Sequence, residues 1–204
     1  MLDILRAAGW PIYFLLVASI ISLALIIERA VSLRRSVIVP PGFLEKLVAE
    51  LRQSGVSEDL IKRVQAHSPL GRVLAAGLRN VRASREAMKE AIEEAGHAVA
   101  HDLERFLTTL GTIATVSPLM GLFGTVIGMI ELFGAQNPAG GGTDPQQLAH
   151  GISVALYNTG FGLMIAIPSL IAHRHYRAQV DSIIIEMEQQ AIRLVDVVHG
   201  ERKK

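Results

Sequence analysis

The chain contains no cysteine among its 204 residues. This absence excludes disulfide scaffolds, thiolate nucleophiles, cysteine-ligated zinc and iron–sulfur clusters. Charge is also scarce, because Asp, Glu, Lys and Arg make up 19% of the chain, against about 25% in a typical soluble domain. The net charge of +1 gives no sign of a nucleic-acid partner. Apolar residues, by contrast, make up 50% of the chain, and the next question is how they are distributed.

Three long stretches lack Asp, Glu, Lys and Arg: residues 7–27, 106–130 and 145–173. Each reaches the roughly 20 residues that a helix needs to cross a bilayer, and backbone groups in lipid must be satisfied within the helix. A cleaved signal peptide is the alternative for the first stretch. Its flanks disfavour that reading, because no small-residue cleavage site follows it. The sequence therefore predicts an all-α membrane protein with three transmembrane helices.

Basic residues predict the orientation of these helices. Arg29, Arg34 and Arg35 follow the first stretch, whereas the connection between the second and third has no Lys or Arg. Since Lys and Arg concentrate on the cytoplasmic side, we expect the N-terminus outside and the C-terminus inside. The predicted segments are an outer N-terminus 1–6, transmembrane helix 7–27, cytoplasmic helical domain 28–105, transmembrane helix 106–130, outer loop 131–147, transmembrane helix 148–172 and cytoplasmic helix 173–204.

The cytoplasmic segments carry helix signals of their own. Ser57, Ser68 and Ser84 are predicted N-caps, and no helix breaker occurs between Ser84 and Pro118. The sequence thus predicts one unbroken helix from Ser84 into the second span, and a third span that continues into the tail. The tail has an apolar stripe that we expect to pack on the long helix or on a neighbouring subunit. Its members are Val180, Ile183, Ile184, Met187, Ala191, Leu194, Val195 and Val198.

Small residues recur at helical spacing on the second and third spans. The second carries Ser117, Gly121, Gly124 and Gly128 with Thr125 beside them, and the third carries Gly151, Ala155, Thr159, Gly162, Ala166 and Ser169. Such stripes let helix backbones approach closely in lipid. A second reading, in which they line a narrow space for water or another helix, stays open. A threonine hydroxyl can donate and accept a hydrogen bond but cannot carry a proton at neutral pH, so any proton path requires a carboxylate from another chain.

Two continuous motifs resemble those of the ExbB/TolQ/MotA proton-channel family. The first is Ser117–Gly128, SPLMGLFGTVIG, and the second is Ala155–Leu163, ALYNTGFGL, followed by Ala166-Ile167-Pro168. Three spans and a large cytoplasmic loop after the first are similar to ExbB and TolQ, whereas MotA proteins have four spans. The resemblance covers essentially the whole chain.

The resemblance implies a subunit of a proton-driven motor in a Gram-negative inner membrane, with its outer side in the periplasm. It implies a homo-pentameric ring around a helix dimer from an ExbD/TolR-like single-span partner that carries a transmembrane Asp, and a TonB- or TolA-like transducer. Thr125 and Thr159 would serve the proton path, and Pro118 and Pro168 would kink their helices. Pore lining or helix packing is implied for Ser117, Gly121, Gly124, Gly128, Gly151, Ala155, Asn158, Gly162 and Ala166.

Two positions depart from the family pattern. Val154 stands where many ExbB and TolQ proteins have Glu, and His173-Arg174 stands where a Tyr-Asn pair often follows the Ile-Pro motif. Neither departure touches the two threonines. The choice between TonB-dependent transport and the Tol-Pal system stays open, as does a helical membrane scaffold with no transport role.

Several other patterns are set aside. His97 and His101 have a metal-capable spacing on a helix, but their charged surroundings favour a solvated pair. Gly140–Gly142 lacks the lysine of a phosphate-binding loop, and no catalytic triad or pair of acids is defensible. The sequence predicts neither an enzyme nor a metal or cofactor site.

Overall fold

The computed structural model describes residues 9–134 and 145–200, and every element within those ranges is a helix. The eight helices are α1 Pro11–Ser32, α2 Arg35–Ile38, α3 Phe43–Ser54, α4 Glu58–His67, α5 Pro69–Arg79, α6 Arg85–Glu104, α7 Leu107–Gly134 and α8 Pro145–Val198. The all-α prediction is confirmed. The predicted N-terminal segment 1–6 and the centre of the predicted loop 131–147 lie outside the described residues.

Three helical stretches are long and apolar enough to cross a membrane. They are Pro11–Ser32, Arg85–Ile130 and Gly151–Val198, and about a third or less of each apolar window is buried (28%, 22% and 35%). Apolar surface that stays exposed on a helix of this length needs a lipid or protein environment. The prediction of three helices able to span a membrane is confirmed by their length and composition, whereas the orientation of the termini stays a prediction.

The chain divides into two compact units. The first comprises Met1–Glu28 and Phe106–His175, and the second comprises Arg29–Arg105 and Tyr176–Lys204. In the first unit α1 contacts α8, and Trp10, the residue directly before α1, contacts α7. The Trp10 and Phe123 rings meet edge to face at 5.9 Å, and the Ser22 and Ser169 hydroxyls lie 2.6 Å apart, both buried. Ser169 donates its proton to the carbonyl of Ile165, so Ser22 must be the donor between the two hydroxyls.

Removing the Ser22 hydroxyl is expected to weaken the packing of α1. Interhelical side-chain hydrogen bonds in membranes contribute about 0.6 kcal/mol on average and up to about 1.7 kcal/mol, so a coupling of this size should appear in a double-mutant cycle of Ser22→Ala and Ser169→Ala. The measurement is thermal unfolding in detergent. Ser19→Ala, on the same helix, is the control for general loss of a hydroxyl. Additive effects of Ser22→Ala and Ser169→Ala would contradict the pairing.

The second unit starts its helices at the predicted caps. The hydroxyls of Ser57, Ser68 and Ser84 accept hydrogen bonds from the backbone N–H groups three residues later, at 3.2, 3.0 and 3.2 Å. Each satisfies a donor that the first helical turn leaves without a partner. Proline follows Ser68 at the first helical position, where its missing N–H costs nothing.

The α8 tail in the second unit packs with its predicted apolar stripe. Most members are buried: Val180, Ile183, Met187, Ala191, Leu194 and Val195. Ion pairs fix the edges of the stripe, because Arg85 on α6 bonds Asp196 at 2.9 Å and Arg35 on α2 bonds Glu186 through two 2.7 Å contacts. The hydrogen bonds and charge of Glu186 raise the pKa of Arg35 above its usual value. The Arg85–Asp196 ion pair brings α6, the helix before the second span, to the side of the tail, and packing of the stripe on α6 or on a neighbouring subunit stays a prediction.

The predicted unbroken helix from Ser84 is wrong at one point. Helix α6 ends at Glu104 and α7 begins at Leu107, and Phe106 between them adopts φ +65°, a conformation that bulky residues rarely adopt. The buried Arg29 side chain donates to the carbonyl of Leu103 at 3.2 Å. In a continuous helix that carbonyl would accept from the N–H of Leu107, so Arg29 satisfies the helix end in its place. The end of α6 thus coincides with a tertiary contact and not with a helix-breaking residue.

Candidate functional site

Glycines form the contact between α7 and α8 in the first unit. A Cβ added to Gly162 would lie 2.5 Å from the carbonyl oxygen of Ser117, and one added to Gly121 would lie 2.7 Å from the carbonyl oxygen of Asn158. Real Cβ atoms do not approach this closely, so the two backbones touch because side chains are missing. Farther along the helices, a Cβ on Gly128 would lie 3.7 Å from that of Ala155, which is ordinary van der Waals contact.

The side chain of Asn158 lies in this contact. It is 1% exposed, and a Cβ on Gly124 would come within 2.8 Å of its Cγ and Nδ2 atoms. The amide therefore occupies the volume that Gly124 leaves open. The two small-residue stripes face one another here, which is the arrangement expected for tight helix packing.

Thr125 follows Gly124 and lies at the edge of the contact. Its side chain is half-buried, and its hydroxyl donates to the carbonyl of Leu122 at 2.6 Å. With its proton used within the helix, the oxygen keeps lone pairs that can accept from another donor. Thr125 also lines an open groove of about 590 Å³ with Val126, Met129, Ile130, Phe133 and Gly134. An acceptor is thereby placed on an otherwise apolar wall.

Thr159 lies on the facing helix, next to Asn158. It is half-buried, and its Cα lies 3.0 Å from where a Cβ on Gly121 would be. The two predicted proton-path threonines thus each directly follow a residue of the α7–α8 contact, Gly124 in one case and Asn158 in the other. Both hydroxyl-bearing residues are partly accessible from outside the helix pair.

The other predicted site residues divide by burial. Ser117, Gly121, Gly124, Ala155, Gly162 and Ala166 are buried, whereas Gly128 and Gly151 are half-buried. Pro118 lies within α7 and Pro168 within α8, and neither interrupts its helix. The side chain of Val154, which stands where many ExbB and TolQ proteins have Glu, lies outside the described residues. His97, on α6 of the second unit, lies 3.7 Å from Glu93, and both are exposed.

Sequence reasoning missed one polar contact in the first unit. The Nδ1 atom of His173 lies 2.9 Å from the carbonyl oxygen of Leu107, and its ring packs on Gly111, where a Cβ would lie 3.0 Å from Cε1. Gly111 was the available signal, because it follows Leu107 by one helical turn on the same helix.

The chemistry that these helices offer is uncharged. Residues 107–130 and 151–172 contain no Asp, Glu, Lys or Arg, so hydroxyls and one amide are the polar side chains placed at the contact. Hydroxyls can hold a water molecule or a neutral carboxylic acid by hydrogen bonds. A charged carboxylate would be costly at this depth, so a protonatable group working here needs such polar neighbours.

A sequence profile described as the MotA/TolQ/ExbB proton channel family matches residues 65–189. That match covers α7, the described part of the helix contact and both threonines. It begins in α4 and ends within the tail of α8.

Individual relatives cover more of the chain. A putative biopolymer transport protein ExbB homolog from Methanothermobacter thermautotrophicus is 28% identical over 92% of this chain and 66% of its own length. An ExbB-like putative biopolymer transport protein from Synechocystis is 33% identical over 85% of this chain and 69% of its own. The Tol-Pal system protein TolQ of Haemophilus influenzae is 42% identical over a shorter part, 40% of this chain and 35% of its own. The chain thus spans about two thirds of the length of the first two relatives.

Proposed function

Because the chain belongs to the MotA/TolQ/ExbB proton channel family, we propose that it is the proton-conducting stator subunit of an inner-membrane motor. The observation that carries the proposal is the placement of Thr125 and Thr159 at the edge of a glycine-mediated helix contact, within spans that lack charge. The two hydroxyls supply hydrogen bonds to a protonatable group, and the chain itself supplies no such group. The subunit acts as a channel and not as an enzyme.

The missing carboxylate determines the partner in this proposal. An ExbD/TolR-like single-span protein brings an Asp into the space beside the threonines, and several copies of this chain, a homo-pentamer, surround the partner's helices. That Asp takes up a proton from the periplasm and releases the proton to the cytoplasm. This proton transfer converts the proton motive force into movement. A TonB-like transducer then carries the movement toward the outer membrane. The N-terminus is periplasmic and the C-terminus cytoplasmic, as the distribution of Arg favours.

Reconstitution tests this function directly. The chain is co-expressed with an ExbD/TolR-like protein, purified and placed in vesicles that hold a pH-sensitive dye under an inward proton gradient. We expect the two proteins to co-purify and the vesicles to acidify. Vesicles with this chain alone, or with the partner's Asp changed to Asn, should acidify no faster than empty ones, because no group can then carry the proton.

Two outcomes would overturn the proposal. Equal acidification without the partner's Asp would mean that the conducting group lies elsewhere. Assembly of the complex without any acidification would favour the alternative that the stripes serve only packing, in a membrane scaffold with no transport role.

A TolQ-type role in the Tol-Pal system is the second candidate. It is favoured by the relative named TolQ, which is 42% identical over 81 residues. The distinction rests on the transducer, so co-purification with a TolA-like protein in preference to a TonB-like one would select it. The proton path proposed above is common to both candidates.

A further inference from the structure

Asn158 is buried on α8 where that helix meets Gly121 and Gly124 of α7. The buried small residues around it on α8 are Ala155, Gly162 and Ala166, none of which extends past a Cβ atom. Burying an amide in a membrane-spanning helix costs free energy unless its polar atoms form hydrogen bonds. An amide among such small residues therefore indicates a role other than filling space.

The glycines opposite it do not by themselves fix one alignment. Helix α7 presents three glycines along the contact within about two turns, Gly121, Gly124 and Gly128. Small residues on α8 can face any of them. Only a longer side chain distinguishes one glycine from the next, and Asn158 fills the space at Gly124, where its Cγ and Nδ2 lie 2.8 Å from a built Cβ.

The alignment determines where the two threonines lie. Thr125 directly follows Gly124, and Thr159 directly follows Asn158, so the pair of residues in contact is also the pair that precedes the two hydroxyls. A slip of one residue along a helix moves each side chain by about 1.5 Å and turns it by about 100°. Such a slip would carry one threonine away from the other's edge of the contact.

We propose that Asn158 is a positioning residue that fixes the alignment of α7 on α8 and thereby fixes where Thr125 and Thr159 lie along the contact. Shape selects the space at Gly124, which the Asn158 amide fills. Polarity penalises alignments that press the amide against apolar side chains, because burying an amide without hydrogen bonds costs free energy. The result is one preferred alignment of the two helices. A buried polar residue is known to set the register of helical assemblies in this way. This inference rests on the proposed function for the role of the threonines, but the alignment itself can be measured independently.

A disulfide reports the alignment without assuming any function. A Cβ on Gly128 would lie 3.7 Å from that of Ala155, within the range of Cβ separations in disulfides. The chain has no native cysteine, so the pair Gly128→Cys and Ala155→Cys supplies its only thiols. We expect efficient cross-linking in the otherwise unaltered chain, measured in the complex with its partner.

Asn158→Leu keeps the branching of the side chain and removes its polarity. The cross-link yield at short oxidation times should fall about three- to twentyfold, the range that corresponds to polar contacts between helices in membranes, and proton uptake by the unlinked variant should fall with it. Asn158→Ala, which adds no volume, guards against a variant that fails to fold and should lower both readouts. Tyr157→Leu is the matched control, since Tyr157 is the adjacent residue but exposed, and it should leave the yield unchanged.

The possible results separate the two proposals. Unchanged cross-linking in both Asn158 variants would overturn the positioning role, whatever the proton measurements show. If the unaltered complex conducts no protons but the Asn158 variants still lose the cross-link, the proposed function fails and the alignment role stands. Loss of proton uptake with unchanged cross-linking would also reject positioning, because Asn158 would then act on the path itself.

Discussion

Replacing Thr159 with valine is expected to abolish proton-driven work while the protein still assembles with its partner. Valine has nearly the same shape as threonine and lacks the hydroxyl, so the change removes a hydrogen-bonding group and little else. The side chain is half-buried, which limits the effect on folding. If the hydroxyl assists proton transfer to and from the partner's Asp, the rate of proton uptake should fall by about 100-fold or more.

The control for this substitution lies on the same helix. Ser153 is exposed, and its hydroxyl donates to the carbonyl of Ala149 at 2.9 Å. Ser153→Ala should therefore leave proton uptake close to that of the unaltered complex. The decisive comparison is uptake per assembled complex, with assembly measured by co-purification. Normal uptake in the Thr159→Val complex would remove the observation on which the channel function depends.

Local chemistry allowed much of this molecule to be predicted from its sequence. The three serine caps of the second unit were recognisable because a cap acts on N–H groups only two or three residues away. The apolar stripe of the tail was recognisable because its period is that of the helix to which it belongs. The stripes of small residues likewise identified which faces of α7 and α8 meet, since close approach in lipid requires small residues on both helices.

Contacts between residues distant in sequence could not be predicted in the same way. The last turn of α6 is bonded by Arg29, which is 74 positions from the Leu103 carbonyl that accepts its hydrogen bond, and residues 103–107 include no Gly or Pro. The hydroxyl pair of Ser22 and Ser169 spans 147 positions. For the candidate site, sequence patterns indicated both threonines. They did not indicate that the Asn158 amide occupies the space beside Gly124, because that contact joins residues on two different helices.

Replacing Gly162 with alanine is expected to separate α7 from α8. The new Cβ would lie 2.5 Å from the backbone carbonyl oxygen of Ser117, and 3.2 Å from the Cα of Gly121. Neither neighbour can rotate away, because both are backbone atoms, so the helices themselves must move. Overpacking of this kind costs about 1–3 kcal/mol, and the expected result is a lower unfolding temperature in detergent together with reduced recovery of the complex with the partner.

Gly160 on the same helix is the matched control, because a Cβ there would meet nothing within 4 Å. Gly160→Ala should be neutral or stabilising by up to about 1 kcal/mol, since alanine favours the helix over glycine. The two substitutions change the helix propensity identically and differ only in what the added methyl group meets. A loss confined to Gly162→Ala would therefore measure the helix contact itself, whereas equal behaviour of the two variants would mean that α7 and α8 do not approach as closely as the structure describes. Because Thr125 and Thr159 adjoin this contact, Gly162→Ala should also lower proton uptake in whatever complex remains.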